Sequence, residues 1–278
     1  MSFYPQPYKY QCGPFALKYA LVMLGLFENE REIGKKAGST WWYGTDEIGL
    51  AKAARSYKCN MNYFRREVPA EAIKALNYNL KRGLPCVLSV DGWEHWFTVI
   101  NEQKGKYIVV DSALDKVIVI YTANQLLKRW KYIDDESGEI SYDGYALTPK
   151  FKVITKANFT LEKARYVMRD RNKLLAEKWD TYFNDLINIC RPRVPQSKRV
   201  VSFAEFLRRH EKLIVTEVAN WHGTPSYKEL DKILKNLQFV AEVYDLVIYF
   251  EDQKKALVDL AAILMMYSCG KYGMEPIY

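Results

Sequence analysis

Cysteine and histidine are scarce in this sequence, which limits the kinds of site it can hold. Its 278 residues include three histidines and five cysteines, the latter at positions 12, 59, 86, 190 and 269. Their odd number and wide spacing argue against a disulfide framework, and the lack of a Cys-x-x-Cys pair argues against a zinc site. We therefore expect reduced thiols, no metal site and no cofactor.

Long apolar runs and a secretory signal are missing as well. No apolar run reaches membrane-spanning length, and Met1–Pro5 does not pair a basic region with an apolar stretch. We expect no membrane segment and a cytoplasmic setting. The formal net charge of +8 is spread over the chain, which favours a solvated surface over a nucleic-acid interface.

Composition and pattern predict an α+β protein with two domains. The hydrophobic fraction of 49% and the charged fraction of 27% are ordinary for a globular protein. Helical and strand-like segments alternate in the first half of the chain, whereas the rest is helical in pattern. A boundary near Thr148–Lys152 gives domains at 1–148 and 149–278.

Cys12 precedes an almost uncharged helical segment. Gly13-Pro14 is typical of a helix start, and Lys18 is the only charged residue from Phe15 to Leu24. This pattern predicts a helix that is buried on most sides. Because the positive end of the helix dipole would act on Cys12, we expect its reactive thiolate form to be favoured.

His95 and Asp111 belong to a predicted hairpin. Two strand-like segments are joined around Gln103–Gly105, and if Asn101 and Gly105 close the turn, His95 lies directly opposite Asp111. A register that differs by one residue would put the two side chains on opposite faces. The same register pairs Phe97 with Val109 and Val99 with Tyr107.

A histidine opposite a carboxylate can act as an oriented base. The aspartate holds one ring nitrogen as a donor, so the other nitrogen can take a proton from a thiol. The remaining histidines, His210 in a charged helical run and His222 in an interhelix turn, are interpreted as structural or solvated positions.

Several motifs in a fixed order resemble a known peptidase family. They are Gln6, Cys12-Gly13 opening an apolar helix, His95-Trp96-x-x-Val99, and Val110-Asp111-Ser112-Ala113. Over about residues 3–145 this pattern resembles the double-glycine-leader, or bacteriocin-processing, peptidases, which are papain-like cysteine peptidases. The resemblance implies a papain-like fold of N-terminal helices plus an antiparallel sheet. It also implies that Cys12 is the nucleophile, His95 the general base, Asp111 the orienting residue and Gln6 the oxyanion donor.

The sequence departs from that family in two respects. Gln11 stands before the cysteine and Pro14-Phe15 follows it, where family members often have an acidic residue and an Ala-rich segment. Gln11 is a second candidate oxyanion donor, but an adjacent side chain normally points away from the thiol. Many members are fused to a transporter, and without a membrane segment a leader substrate delivered to an exporter is not implied.

Three tryptophans are candidates for substrate binding. Trp41 and Trp42 lie in a loop between helices, where they could cover the core or form the wall of a groove, and Trp93 precedes His95 by two residues. In a papain-like arrangement such loops border the cleft. We predict that at least one of these rings lines an apolar subsite.

The sequence therefore predicts a cysteine peptidase that cleaves a peptide or isopeptide bond in a peptide or protein substrate. Two alternatives stay open: an acyl transferase or transpeptidase that uses the same thiol, and an inert papain-like scaffold that binds a protein.

The second half of the chain is predicted to be helical. Capping boxes at Ser202-x-x-Glu205 and Ser226-x-x-Glu229 predict the starts of two helices, and the pattern of residues 160–190 predicts one long helix. We expect a bundle of about four helices there, which shapes substrate access or docks a protein partner.

Overall fold

Helices and antiparallel strands occur together in this chain, which confirms the α+β class. The structure, a computed structural model, describes residues 1–194, 199–220 and 225–271. For residues 269–271 it describes the backbone alone. The chain divides into two units, Met1–Lys178 and Trp179–Tyr278. Among the described residues, no helix combines the length and the apolar character needed to cross a membrane.

The first unit is built around one antiparallel sheet. Its strands are β1 (Cys59–Arg66), β2 (Cys86–Val90), β3 (His95–Gln103), β4 (Lys106–Val110), β5 (Ile118–Thr122), β6 (Lys131–Ile133) and β7 (Ile140–Pro149). They lie in the order β1-β7-β2-β3-β4-β5, and β6 pairs with β7. Its helices are α1 (Cys12–Met23), α2 (Glu30–Ala37), α3 (Glu47–Ser56), α4 (Pro69–Lys81), α5 (Ala123–Trp130), α6 (Leu161–Val167) and α7 (Lys173–Glu177).

Helix α1 is buried along its whole length, as its apolar sequence predicts. It begins at Cys12, after a short 3-10 turn, and every residue to Met23 is buried. Its one charged residue, Lys18, is 3% exposed and forms an ion pair of 2.8 Å with Glu30 on α2. Because a buried ammonium is costly unless it is paired, this contact explains how a charge is tolerated inside the helix.

The two faces of the sheet carry separate apolar clusters. Alternate residues of β2 and β3 point to opposite sides, so Val87 and Trp96 pack with α1, whereas Leu88 and Phe97 pack on the other face. The second cluster includes Trp130 from α5. Consecutive residues at the start of β3 therefore contact the α1 cluster on one face and the α5 cluster on the other.

The predicted pairing of the hairpin is wrong, although the predicted face is right. Gln103 pairs with Lys106, and Lys104 and Gly105 form a two-residue turn with positive φ at both positions, 54° and 71°. Val99 pairs with Val109 instead of Tyr107. The turn alone would place Val99 opposite Val110, and a bulge between Val99 and Asn101 adds one residue to β3 and moves the pairing to Val109.

The bulge decides which side chains share a face with Asp111. If the register of the turn continued without it, Thr98 would lie opposite Asp111, and His95 would point to the other face. The extra residue, Ile100, moves the register by one. Side chains alternate between the two faces of a strand, so Asp111 shares a face with Val109, and His95 shares a face with Val99. Because Val99 and Val109 are paired, Asp111 lies on the same face as His95.

The units divide thirty residues later than the predicted boundary at 148/149, after Lys178. The intervening segment is bonded to the first unit: Asn101 donates through its side chain to the carbonyl of Phe159 at 2.7 Å, and the Ser2 amide donates to the Glu177 carbonyl at 2.9 Å. The long helix predicted over 160–190 is interrupted, because residues 168–172 separate α6 from α7 and Lys178 separates α7 from the next helix.

The second unit contains helices and a small sheet. The helices are α8 (Trp179–Ile189), α9 (Phe203–Ala219), α10 (Tyr227–Val243) and α11 (Gln253–Lys271), and the strands are β8 (Arg191–Pro192), β9 (Val200–Ser202) and β10 (Leu246–Tyr249). Ser202 and Ser226 cap α9 and α10, and Glu229 completes a reciprocal capping box. The sequence predicted these helices, but not the sheet, whose order is β8-β10-β9.

Candidate active site

Cys12 lies at the first position of α1 and is 6% exposed. It packs in the same apolar cluster as Trp96, which follows His95 on β3. The next residue has to be small: a Cβ atom added to Gly13 would come within 2.9 Å of the Thr45 Cβ atom. The loop before α3 therefore approaches the start of α1 closely.

His95 and Asp111 lie side by side at one end of the β3–β4 hairpin. His95 is the first residue of β3, and Asp111 follows the last residue of β4. The ring Nε2 and the carboxylate Oδ1 are 2.7 Å apart, with the carboxylate fully buried. Nδ1 is the ring nitrogen left for Cys12, whose thiol is near enough to raise the pKa of His95.

The surroundings of His95 favour its protonated form. Burial opposes the charge, but the hydrogen bond with Asp111 and the interaction with the Cys12 thiol outweigh burial and raise the pKa of His95 to about 9. Asp111 shows the complementary effect. Burial works against its charge, yet hydrogen bonds from His95, Arg129 and the Ala113 amide lower the pKa of this carboxyl group.

Arg129 holds the second oxygen of Asp111. It extends from α5, and its Nη1 atom donates to Oδ2 of Asp111 at 2.6 Å and to the Tyr121 hydroxyl at 3.1 Å. Nε donates to Oδ1 of Asp91 at 3.0 Å, and Nη2 donates to Oδ2 of the same residue. The guanidinium also lies 5.1 Å from the centre of the Phe97 ring. The Asp111 carboxylate is therefore fixed from both sides.

Arg129 and Asp91 were not predicted from the sequence as residues of the site. The local sequence shows only that Arg129 precedes the buried Trp130 in a short helix whose capping box is formed by Thr122 and Gln125. No motif links this arginine to an aspartate 18 residues earlier. Only the packing of α5 on the sheet brings the two together.

Gln6 is tied to the residue that follows Asp111. Its backbone N–H donates to the Ser112 carbonyl at 2.9 Å, and its Oε1 atom accepts a hydrogen bond from the Ser112 hydroxyl at 2.5 Å. The Nε2 group donates to the carbonyls of Tyr8 and Lys9, both at 3.0 Å. An oxyanion would therefore have to replace one of these two carbonyls. Gln11 differs, because its buried Oε1 atom has no hydrogen-bond partner among the residues that the structure describes.

The three candidate tryptophans are exposed. Trp41 is 71% exposed, Trp42 57% and Trp93 46%, so none of them serves as a core residue. Trp93 stacks on Tyr132 with ring centres 4.1 Å apart. It lines a cavity of about 570 Å³ together with Tyr43, and neither Trp41 nor Trp42 is among the lining residues.

The other described cysteines are poor candidates for reactivity. Cys59, Cys86 and Cys190 are buried, and burial raises the pKa of each thiol, to about 11 in the case of Cys59. His210 lies on α9 with its ring 4.8 Å from that of Phe206, and His222 lies outside the described residues. In the described part of the chain, no three His, Cys, Asp or Glu side chains group as metal ligands.

The stability of the protein is expected to depend on the protonation of His95. Since folding raises the pKa of His95 from 6.5 to about 9, its contribution to the free energy of unfolding is complete below about pH 6.5 and declines as the pH rises through about 9. The difference in Tm between the wild type and His95→Gln should shrink over that range. His210→Gln is the matched control, and a difference that grew with pH would contradict this assignment.

Comparison with known proteins gives fold-level matches over about half of the chain. No family model and no curated protein matches the sequence. Among solved structures, the peptidase domain of Streptococcus ComA, a bifunctional ABC transporter of a quorum-sensing pathway, is 16% identical, with 54% of this chain and 98% of that domain covered and a TM-score of 0.39.

Two further solved structures are similar over about half of the chain. A double glycine motif protease from an AMS/PCAT transporter, in complex with its leader peptide, is 18% identical over 51% of this chain and 90% of its own, with a TM-score of 0.39. A C39-like peptidase from Bacillus anthracis is 13% identical over 51% and 92%, with a TM-score of 0.36. These neighbours include the double-glycine peptidase domains that the sequence motifs resemble.

Proposed function

We propose that this protein is a papain-like cysteine peptidase that cleaves a peptide or isopeptide bond. The observation that carries the proposal is the 2.7 Å hydrogen bond between His95 and the buried Asp111, with the Cys12 thiol near enough to raise the pKa of the same imidazole, so that a thiol, an imidazole and a carboxylate follow one another. An inert scaffold has no need of this series. A buried carboxylate costs stability unless hydrogen-bond donors are placed around it. A role in acyl transfer explains more readily than a scaffold role why the protein keeps Asp111 and its donors.

In the proposed reaction the Cys12 sulfur attacks the carbonyl carbon of the scissile bond. His95 takes the thiol proton at Nδ1, while Asp111 accepts the hydrogen bond from Nε2 and stabilises the imidazolium. The negative charge that develops on the carbonyl oxygen is stabilised by the N-terminal end of α1 and by the Gln6 amide.

Collapse of that intermediate breaks the C–N bond. The imidazolium gives its proton to the leaving amine, and the acyl group remains on Cys12 as a thioester. Water, deprotonated by His95, then releases the carboxylic acid and restores the thiol. An amine in place of water would form a new amide, which is the transferase alternative. The products formed with an added amine separate the two reactions.

The proposed substrate is a peptide or a protein. The Trp41–Trp42 loop and Trp93 would border its groove, since all three rings are exposed and Trp93 lies two residues before His95 on the chain. A reactive thiol persists in a reducing compartment, which supports a cytoplasmic location. A protein partner for the second unit stays a prediction.

A peptidyl chloromethyl ketone tests the proposed nucleophile. We expect mass spectrometry of the digested protein to find the label on Cys12 and not on Cys59, Cys86 or Cys190, because these three thiols are buried and held in their neutral form. The variant Cys12→Ser should lose the label, and the control Cys59→Ala should keep it. Unchanged labelling of Cys12→Ser would exclude Cys12, and equal labelling of several cysteines would indicate nonspecific reactivity.

A further inference from the structure

A cavity of about 570 Å³ adjoins the candidate triad. It is lined by Trp96, the residue after His95, and by Thr45, whose side chain packs against Gly13 next to Cys12. Ser89 on β2 pairs with Trp96 in the sheet and lines the cavity as well. The cavity therefore lies on the α1 face of the sheet, within reach of a chain bound across Cys12 and His95.

The lining of this cavity combines aromatic rings with negative charge. Among the described residues, five aromatic side chains and three carboxylates line it, and no lysine or arginine does. Asp46 and Glu47, at the start of α3, are exposed, whereas Asp143 on β7 is 3% exposed. Aromatic faces and carboxylates both attract a cation, so the two halves of the lining favour the same kind of ligand.

The groups bonded to Asp143 are neutral. Its carboxylate accepts hydrogen bonds from the Tyr63 hydroxyl at 2.5 Å, the Ser141 hydroxyl at 2.6 Å and the Trp93 indole N–H at 3.3 Å. Arg65 is paired with Asp143 across the sheet but does not line the cavity. The buried carboxylate is thus held in place by neutral hydrogen-bond donors on the wall of the cavity, and part of its negative charge is offset by Arg65.

Ser89 gives a second, independent indication of a ligand. This residue is 5% exposed, and its hydroxyl has no hydrogen-bond partner within the described part of the protein. It lines the cavity from the middle of a strand whose other residues are buried and apolar. The hydroxyl is not sealed from solvent, so it opens onto the cavity, where a donor on a ligand can reach it.

We infer that this cavity is a subsite for a basic side chain, lysine or arginine, of the peptide substrate. The inference rests on the proposed function and adds the class of substrate to it. The rings of Trp93 and Tyr145 would enclose the apolar stem of the side chain, and Glu47 and Asp46 would face the charged group. The Ser89 hydroxyl would accept a hydrogen bond from it.

Peptide binding to the variant Cys12→Ala tests the subsite without any dependence on catalysis. Two acetylated, amidated tetrapeptides are compared, identical except that one carries lysine where the other carries norleucine. The Trp93 indole N–H resonance, assigned by its loss in Trp93→Phe, reports occupancy, since this group faces Asp143 at the cavity wall. We expect the lysine peptide to bind about tenfold more tightly, which is the scale of one hydrogen bond to a charged group.

Variants of the cavity distinguish charge from shape. Glu47→Gln and Ser89→Ala should each reduce the preference for lysine, whereas Glu71→Gln, an exposed glutamate on α4 that does not line the cavity, should leave it unchanged. Equal binding of the two peptides, or a Trp93 resonance that neither peptide shifts, would overturn the inference. Failure of the chloromethyl ketone to label Cys12 would instead overturn the proposed function, so the two failures are distinct.

Discussion

Glutamine in place of His95 is expected to lower turnover by about 10⁶-fold, the scale found when the base of a hydrolase triad is removed. Glutamine keeps a hydrogen-bond donor for the buried Asp111 carboxylate, so the carboxylate is not left unpaired. Glutamine cannot take up a proton, however. It can therefore neither remove the proton of the Cys12 thiol nor give a proton to the leaving amine. The rate constant kcat is measured on a peptide selected from a library with the wild type.

The matched control is His210→Gln, the same substitution on α9 of the second unit. It should leave kcat unchanged. Thermal unfolding of both variants near neutral pH separates a loss of chemistry from a loss of fold. If folded His95→Gln kept its activity to within about tenfold of the wild type, His95 would not be the base, because such a small loss is far below that of a missing triad member.

The position of Cys12 could be predicted because every signal for it is local. The dipeptide Gly13-Pro14 and the apolar run after it specify both the start of α1 and its burial, and the structure begins this helix at Cys12. The start and the burial of α1 could therefore be predicted without knowing which parts of the chain cover it. The one charged residue, Lys18, is accommodated by a single ion pair with Glu30.

The pairing of the hairpin could not be predicted because it depends on two irregular features. The turn at Lys104-Gly105 shifts the register by three residues from the predicted pairing, and the bulge at Ile100 moves it back by one, so the net shift of two residues preserves the face. His95 and Asp111 meet for this reason, although they are not the cross-strand pair that the sequence predicted. The sequence thus predicted that the two side chains share a face, but through a cross-strand pairing that the strands do not make.

Arg129, Asp91 and the cavity could not be predicted because they depend on tertiary packing. Asp91 lies 38 residues from Arg129 and comes to it at the end of β2, where its amide donates to the Arg129 carbonyl at 2.7 Å. The strands of the second unit are two to four residues long, too short to leave a periodic pattern in the sequence.

Asparagine in place of Asp111 is expected to lower turnover by about 10⁴-fold, the scale seen when the orienting aspartate of a hydrolase triad becomes an amide. Asp111 accepts a hydrogen bond from His95 at one oxygen and from Arg129 at the other. Asparagine has a single acceptor oxygen, and the charged Arg129 makes the stronger hydrogen bond to it. The NH₂ group then faces Nε2 of His95, which moves the ring proton to Nδ1, the nitrogen that has to accept the proton of Cys12.

The double variant Asp111→Asn with Arg129→Met tests this cause. Without the guanidinium, the asparagine oxygen is free to face His95 and the Ala113 amide, both of which donate to Oδ1 of Asp111 in the wild type. We expect the double variant to turn over faster than Asp111→Asn alone, and ring ¹⁵N resonances of His95 to show the proton on Nδ1 in the single variant and on Nε2 in the double one. Equal turnover of two folded variants would mean that the lost negative charge, and not the tautomer, causes the defect.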